Sequence, residues 1–371
     1  MTGRVSMSDV AASAGVSQKT VSRVVNGEPH VSEALRERVL REIARLGYRP
    51  NESARALVTR RSRRIGIVAT GTSYFGPAAV LRGLERAARR AGYYVSVGHA
   101  DDQDEDETRH LVTHLVSQGL DGVVIATWLG TTSAANHVPH GIPVLAIGYP
   151  PAADPAGPVG SGAGRVEGVG NDEAAGARAA TEYLLRLGHR TVHHVAGAPG
   201  WEVTEHRVAG WRAALRAAGA AVPPPVHGDW SPASGHRATT ELLRAAGRLS
   251  AGDGPAGAGP ALTALFVAND QMAIGAVHAL TRAGLRVPDD VSVVGYDDVP
   301  EAAYLSVPLT TVRQDFDAIA EQGMRRLIAA ITGTPPPAES GRVPVELVVR
   351  DSATPPREGS AGKRSASEGE R

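Results

Sequence analysis

The chain has no cysteine in its 371 residues. Disulfides and thiolate metal sites are thereby excluded, which fits a reducing compartment. It also lacks any uninterrupted apolar run near the roughly 18 residues a membrane-spanning helix needs. Its opening, MTGRVSMSDV, holds no apolar core of signal-peptide length, so a soluble cytoplasmic protein is expected. Catalytic signatures are missing too. No Gly-x-Ser-x-Gly elbow occurs. His193 and His194 lie in a strand-like run that should send one side chain inward and the other outward, and no further ligands stand at zinc-like spacing. The acidic run from Asp101 to Glu107 reads as a solvated loop leading into a helix. Gly252, Gly254 and Gly257 satisfy G-x-G-x-x-G, but that fingerprint requires a strand before it and a helix opening at it. Here a helix precedes and Pro260 leads into a strand. No enzyme, cofactor or metal site is expected.

Net charge is also absent, but the zero conceals an asymmetry. Residues 1–64 carry 13 Lys and Arg against 6 Asp and Glu, and the rest of the chain carries 26 against 33. A small basic unit joined to a large acidic one suggests that only the first meets a polyanion. The length likewise calls for two or three units rather than one core.

The basic unit contains the stretch VSMSDVAASAGVSQKTVSRVVN, Val5 to Asn26. Ser6 is placed to cap one short helix with Val10, Ala11 and Ala14 inward, and Gly15 supplies a turn. Ser17 then caps a second helix, packed inward by Val21, Val24 and Val25. Gln18, Lys19, Ser22 and Arg23 are left exposed near its start. That is the layout of a helix-turn-helix, whose second helix enters the major groove. A third helix follows, capped by Ser32, with Val31, Leu35, Val39, Ile43 and Leu46 on one face. PNESARALV can form a short helix from Asn51 to Val58, marginal alone because nucleation is costly. RRSRR, Arg60 to Arg64, reads as the linker that closes the unit.

The combination DVAASAGVSQKTVSRVVN followed by GYRPNESARAL closely resembles the amino-terminal region of the LacI/GalR family of bacterial transcription repressors, over residues 5–68. The resemblance implies DNA contacts from Ser17, Gln18, Lys19, Thr20, Ser22, Arg23, Asn26 and His30, with Gln18 and Lys19 choosing bases, Arg23 reading guanine, and Ser22 and Asn26 holding phosphate. It also implies that Leu57, in a hinge helix paired with that of a second subunit, wedges between base pairs and kinks a pseudo-palindromic operator.

From Ile65 onward the period changes. Strand-like runs (IGIVA, YYVSVG, DGVVIA, PVLAIG) alternate with amphipathic helices, and the order repeats after residue 165 with VEGVG, TVHHVA, a short strand near Val226, ALFVA and VSVVGYD. Such alternation implies α/β architecture with parallel sheets covered on both faces. Two runs imply two sheets. PLTTV, a helix and VPVELVVR finish the body. The resemblance implies a periodic crossing: three passages between two similar subdomains, as in periplasmic sugar-binding proteins. The expected division is thus a helix-turn-helix domain (1–50), a hinge and linker (51–64), a doubly wound two-subdomain effector and dimerisation domain (65–351), and a disordered tail (352–371). Residues 150–164 and 250–260 read as surface loops. The tail has no leucine, so no heptad helix for tetramers, and a homodimer is expected.

Ligands of open parallel sheets sit beyond the carboxyl ends of the strands. There the chain places Thr70, Tyr74 and Phe75, then Arg207, Trp230, Asn269, Asp297, Gln314 and Phe316. Carboxylate, amide and guanidinium groups suit sugar hydroxyls, and a flat ring suits a sugar face. Asp270 reads as the cap of the next helix. The resemblance implies that Thr70, Arg207, Asn269 and Asp297 bind hydroxyls, while Trp230, Phe316 and Gln314 line the pocket. Tyr74 and Phe75 depart from the family pattern, and Asp172 is a weaker candidate. A DNA-binding repressor released by a small sugar, a β-galactoside or related saccharide, is the expectation. Its rivals are a corepressor-dependent regulator of the same architecture and a sugar-transport binding protein, which would need an export signal and would lack residues 5–58.

Overall fold

The computed structural model describes residues 5–49, 61–100, 104–126, 134–135, 137–148, 166–247 and 262–357. The hinge segment with Leu57, the two Pro/Gly-rich stretches and the glycines at 252–257 lie outside these. The chain forms two compact units that divide after Arg63.

In the first unit the described residues hold three helices: α1 (Met7–Ala14), α2 (Gln18–Val25) and α3 (Glu33–Leu46). Ser6 accepts from Asp9 N–H while the Asp9 carboxylate accepts from Ser6 N–H, a reciprocal capping box that satisfies two otherwise orphaned donors. Gly15 turns the chain in the left-handed region at φ 63°. Ser17 caps α2 through Thr20 N–H at 3.1 Å. The core is Val10, Ala11, Ala14, Val21, Val24, Val39 and Tyr48, with Val25, Val31, Ile43 and Leu46 half-buried around it. Ser32 departs from expectation. It occupies the cap position of α3, but its side chain makes no cap hydrogen bond. Instead Ser13, Glu42 and Arg45 brace α1 on α3, with Arg45 donating to Ser13 Oγ at 2.7 Å.

The second unit runs β1 (Arg64–Ala69), α4 (Phe75–Arg90), β2 (Tyr94–His99), α5 (Glu105–Ser117), β3 (Gly122–Ala126), β4 (Val144–Ile147) and β5 (Val166–Asn171). It continues through α6 (Glu173–Arg186), β6 (His193–Ala196), α7 (Glu202–Ala217), β7 (Val226–His227), α8 (Pro232–Ala245), β8 (Ala264–Val267), α9 (Asp270–Arg282) and β9 (Ser292–Asp297). It ends with β10 (Thr310–Arg313), α10 (Phe316–Thr332), β11 (Arg342–Val343) and β12 (Glu346–Val348). Two six-stranded sheets result, with orders β11-β5-β4-β3-β1-β2 and β12-β10-β9-β8-β6-β7. Among the described strands only β12 runs antiparallel, against β10. The central strands β1, β3, β4 and β8 are almost wholly apolar because each sheet is covered twice. Along β1, Ile65 and Ile67 pack with Leu84 of α4 and Leu327 of α10, while Val68 packs on the other face with Val112 and Leu115 of α5.

Four expectations are corrected here. VEGVGN does not begin the second sheet. It pairs parallel with β4, Val144 opposite Val166, and completes the first. The chain passes to the second subdomain at α6, returns at α10, which packs on α4, β4 and β5, and leaves again between β11 and β12, so VPVELVVR is split between sheets. Both histidines of β6 are buried, since neither face of a doubly covered sheet meets water. His194 stacks on Phe266 at 4.6 Å and bonds the Phe266 carbonyl, and burial depresses its pKa to about 3. The tail starts later than expected. Buried Ser352 donates to Val293 C=O and accepts from Thr310 N–H, Thr354 N–H donates to Ser292 Oγ, and Arg357 pairs with Asp289 and Asp290.

Candidate functional site

In the first unit the expected reading face is open. Gln18, Lys19, Arg23, Asn26 and His30 are exposed, and Ser22 and Thr20 are half-buried. Ser17 and Thr20 hydroxyls lie 2.9 Å apart, so the residue that caps α2 also orients the Thr20 side chain in its first turn. Asn26 donates to Ser22 Oγ at 3.3 Å, which joins the two expected phosphate contacts into one group. His30 is held at φ 74° in the turn that follows.

In the second unit a cavity, open to solvent, lies between the two subdomains at the carboxyl ends of their strands. The first subdomain supplies Tyr74, Pro77 and Val80 from the start of α4, Ile147 at the end of β4, Asn171 at the end of β5, and Phe316 and Ile319 from α10. The second supplies Glu173, Trp201, Arg207, Trp230, Asn269, Asp297 and Gln314. Polar groups gather around Arg207, and the rings of Tyr74, Trp201 and Trp230 pack beside them, with the Arg207 guanidinium 5.7 Å from the centre of the Trp230 ring.

Arg207 is the hub of the polar groups. Its Nε donates to Glu173 at 2.8 Å, one terminal nitrogen donates to the Ala268 carbonyl, and the other stands 3.9 Å from Asp297 Oδ1. The guanidinium lies 3.7 Å over the Tyr296 ring. Burial opposes its charge, but Glu173, Tyr296 and Asp297 more than compensate, and its pKa is raised. Asp297 is held at φ 115° and receives Gln314 Nε2 at 2.5 Å. Burial pushes its carboxyl up to about 7, with Arg207 pulling it down and Glu173 reinforcing the rise. Asn171 Nδ2 donates to the Gln314 carbonyl oxygen, so the first subdomain is hydrogen-bonded to the second through this set.

Among the rings Trp230 sits at φ 73°, 5.5 Å from Trp201, and Tyr74 meets Trp201 edge-on at 5.9 Å. The Tyr74 hydroxyl donates across the cleft to the Asp229 carbonyl at 3.1 Å. Gly197 has to be glycine here, because a Cβ would stand 2.0 Å from the Trp230 ring. Among the described residues, buried Trp230 Nε1 and Asn171 Oδ1 have no hydrogen-bond partner. A donor and an acceptor left so on the two sides of one cavity fit a ligand that both donates and accepts.

Seven of the nine expected effector residues therefore line the cavity, and two do not. Thr70 is buried at the end of β1, where its N–H donates to Ala126. Phe75 turns away to pack on Phe316 at 5.8 Å. Asp172 is not in the wall either. It caps α6 through Ala175 N–H and pairs with Arg342. The carboxylate that enters is the next one, Glu173. Asn269, not Asp270, caps α9: its Oδ1 accepts from Met272 N–H at 2.9 Å, and its Nδ2 donates to the Trp230 carbonyl. Asp270 is fully buried one residue on and accepts from Val299 N–H and Thr311 Oγ1. Asn171, Glu173 and Trp201 are additions to the expected set. The strand-end rule that located the others would also have found Asn171.

No helix among the described residues is long and apolar enough to cross a membrane. Residues 6–51 match the family model for bacterial regulatory proteins of the lacI family, and residues 181–353 match that for a periplasmic binding protein-like domain. The lactose operon repressor of Escherichia coli (strain K12) is 31% identical over 364 residues, which cover 97% of this chain and 94% of that one. The transcriptional regulator CelR of Thermobifida fusca is 33% identical over 359 residues, covering 94% and 98%. Among solved structures, the lac repressor dimer bound to operator and the anti-inducer ONPF matches with a TM-score of 0.80 at 30% identity, covering 95% of this chain and all of that one. The CelR–cellobiose complex matches with a TM-score of 0.66 at 31% identity, covering 94% and 100%. With a helix-turn-helix at one end and a two-sheet cleft in the body, the chain belongs to the lacI family of bacterial regulatory proteins and is a DNA-binding transcriptional repressor of that family.

Proposed function

We propose that the cleft binds an uncharged saccharide, a β-galactoside or a closely related disaccharide, and that its binding releases a pseudo-palindromic operator held by a homodimer. The observation that carries the reading is the mixed polar and aromatic lining of the cavity. Asn171, Glu173, Arg207, Asn269, Asp297 and Gln314 can exchange hydrogen bonds with ring hydroxyls, while Trp201, Trp230 and Tyr74 offer flat faces for the ring carbons. Charge narrows the choice. Arg207 is already paired with Glu173, so Asp297 leaves the site neutral when protonated and negative when not, and a phosphorylated or acidic ligand would meet repulsion. The aromatic wall favours a second ring over a lone monosaccharide. Relatives that include a lactose operon repressor and a regulator solved with cellobiose support a saccharide without choosing between galacto and gluco forms.

Sugar closing this cleft would shift the first subdomains of the dimer and destabilise the short hinge expected over residues 51–58. A few kcal/mol of differential binding is enough for such a shift. The test is an anisotropy titration of a labelled operator taken from DNA flanking the gene, repeated with lactose, allolactose, galactose, cellobiose, hypoxanthine and a sugar phosphate. Release by one neutral disaccharide establishes the inducer. Tighter operator binding with hypoxanthine or any other ligand makes this a corepressed regulator, and release by the sugar phosphate alone overturns the charge argument.

A further inference from the structure

Glu28 lies in the turn after the reading helix, in a unit otherwise rich in cations. Its Oε2 stands 3.7 Å from Arg23 Nε, with both side chains about half exposed. This proximity is built into the backbone. Glu28 N–H donates to the carbonyl of Arg23 itself at 2.9 Å, and Gly27 N–H donates to Val24 at 3.2 Å, closing the helix with the chain folded back over its last turn. Gly27 takes φ 66° to allow it. From the other side Arg36 of α3 donates to the Glu28 carbonyl at 3.1 Å. Glu28, three residues beyond α2, is thus held near Arg23 by two backbone hydrogen bonds and the Arg36 guanidinium, none of which depends on its own side chain.

The nearest approach of the carboxylate is to Nε of the guanidinium rather than to either terminal nitrogen. Those two nitrogens form the fork that matches O6 and N7 of guanine. An exposed arginine has many rotamers and can reach a phosphate as easily as a base. We propose that Glu28 is a positioning residue for operator specificity: it holds the Arg23 fork in the orientation that reads guanine and away from the phosphate backbone. This rests on Arg23 being a base reader. A carboxylate near DNA weakens attraction to phosphate, so its presence on this face lowers affinity for every sequence and raises discrimination at one base pair.

The test uses the full-length chain and duplexes selected by it from a library with randomised half-sites. Affinities are then measured for the selected duplex and for versions with each guanine replaced in turn. Arg23→Ala is expected to abolish one guanine preference per half-site. Glu28→Gln, which keeps the backbone bonds and nearly the same volume, is expected to cut that same preference about tenfold, leave the other positions unchanged and strengthen binding to random-sequence DNA. In the Arg23→Ala background Glu28→Gln should no longer alter any preference, the signature of coupling between the two. A Glu28→Gln chain that tightens on matched and mismatched duplexes alike, with the preference intact, would overturn the positioning role and leave a simple charge effect. If Arg23→Ala leaves every guanine preference intact, the assignment of Arg23 falls and the role of Glu28 falls with it. An unchanged thermal midpoint for Glu28→Gln separates these outcomes from misfolding.

Discussion

A carboxylate buried beside one arginine and a second carboxylate holds its proton longer than one in water, and Asp297 does so up to about pH 7. The unfolded chain gives up the same proton near its ordinary value of 3.8. Between these values the folded state binds more protons than the unfolded one, so this group makes stability fall as pH rises from about 4 to 7 and has no further effect above. Asn in its place cannot ionise and still accepts from Gln314. The thermal midpoint of Asp297→Asn relative to wild type is expected to climb by several degrees between pH 4.5 and 7.5 and then level off. A gap that narrows over that range would show the carboxylate to be held ionised by Arg207. At this scale the sequence was informative to within one residue. Arg207, Trp230, Asn269 and Asp297 were placed by their positions after strands, but Asp172 was named where Glu173 enters, and Asp270 was given the cap that Asn269 makes. Both misses fall at a helix start. There a shift of one residue swings a side chain about a hundred degrees round the axis, and an acid suits the cap and the first turn almost equally.

Among the elements, the reading helix α2 depends on its cap. Ser17→Ala removes the acceptor for Thr20 N–H and the partner of the Thr20 hydroxyl, a loss of about 1 kcal/mol, whereas Ser32→Ala removes no cap bond from α3. Thermal melts should show the first variant lowering the midpoint of the amino-terminal unit and the second leaving it nearly unchanged. The carboxyl-terminal segment offers a second contrast. A chain ending at Asp351 loses the Ser352 and Thr354 bonds to β9 and β10, and one ending at Arg357 keeps them. The first should melt several degrees lower, and equal midpoints would show the segment to be ornamental. Polar composition made this segment read as tail. Its hydrogen bonds go to backbone and hydroxyl groups and so leave no apolar period in the sequence. Helices and strands were legible because their periods are local. The membership of β5, β11 and β12 in particular sheets was not, since pairing between distant strands is set by tertiary packing, and the three crossings were available only from the family resemblance.

For the whole molecule, the opposite charge of the two units separates two kinds of binding. Operator affinity should fall by about a thousandfold or more between 50 and 200 mM salt as counterions are released, if six or more phosphates are contacted. Affinity for a neutral sugar, read from the fluorescence of Trp201 and Trp230, should change less than about twofold, because the cleft forms no net charge pair with such a ligand. A sugar affinity as salt-sensitive as the operator's would mean that the ligand carries charge. The order in which the sheets are assembled bears on how the chain comes off the ribosome. The first sheet receives its helix α10 and its edge strand β11 only from about the last sixth of the polypeptide, and the second receives β12 later still. Through most of translation neither subdomain can close, and the apolar faces awaiting α10 stay open to chaperones and to neighbouring nascent chains. The helix-turn-helix, finished within the first fifty residues, has meanwhile been folded from the start. A transcript broken anywhere before β11 therefore leaves a helix-turn-helix joined to an unfinished second unit.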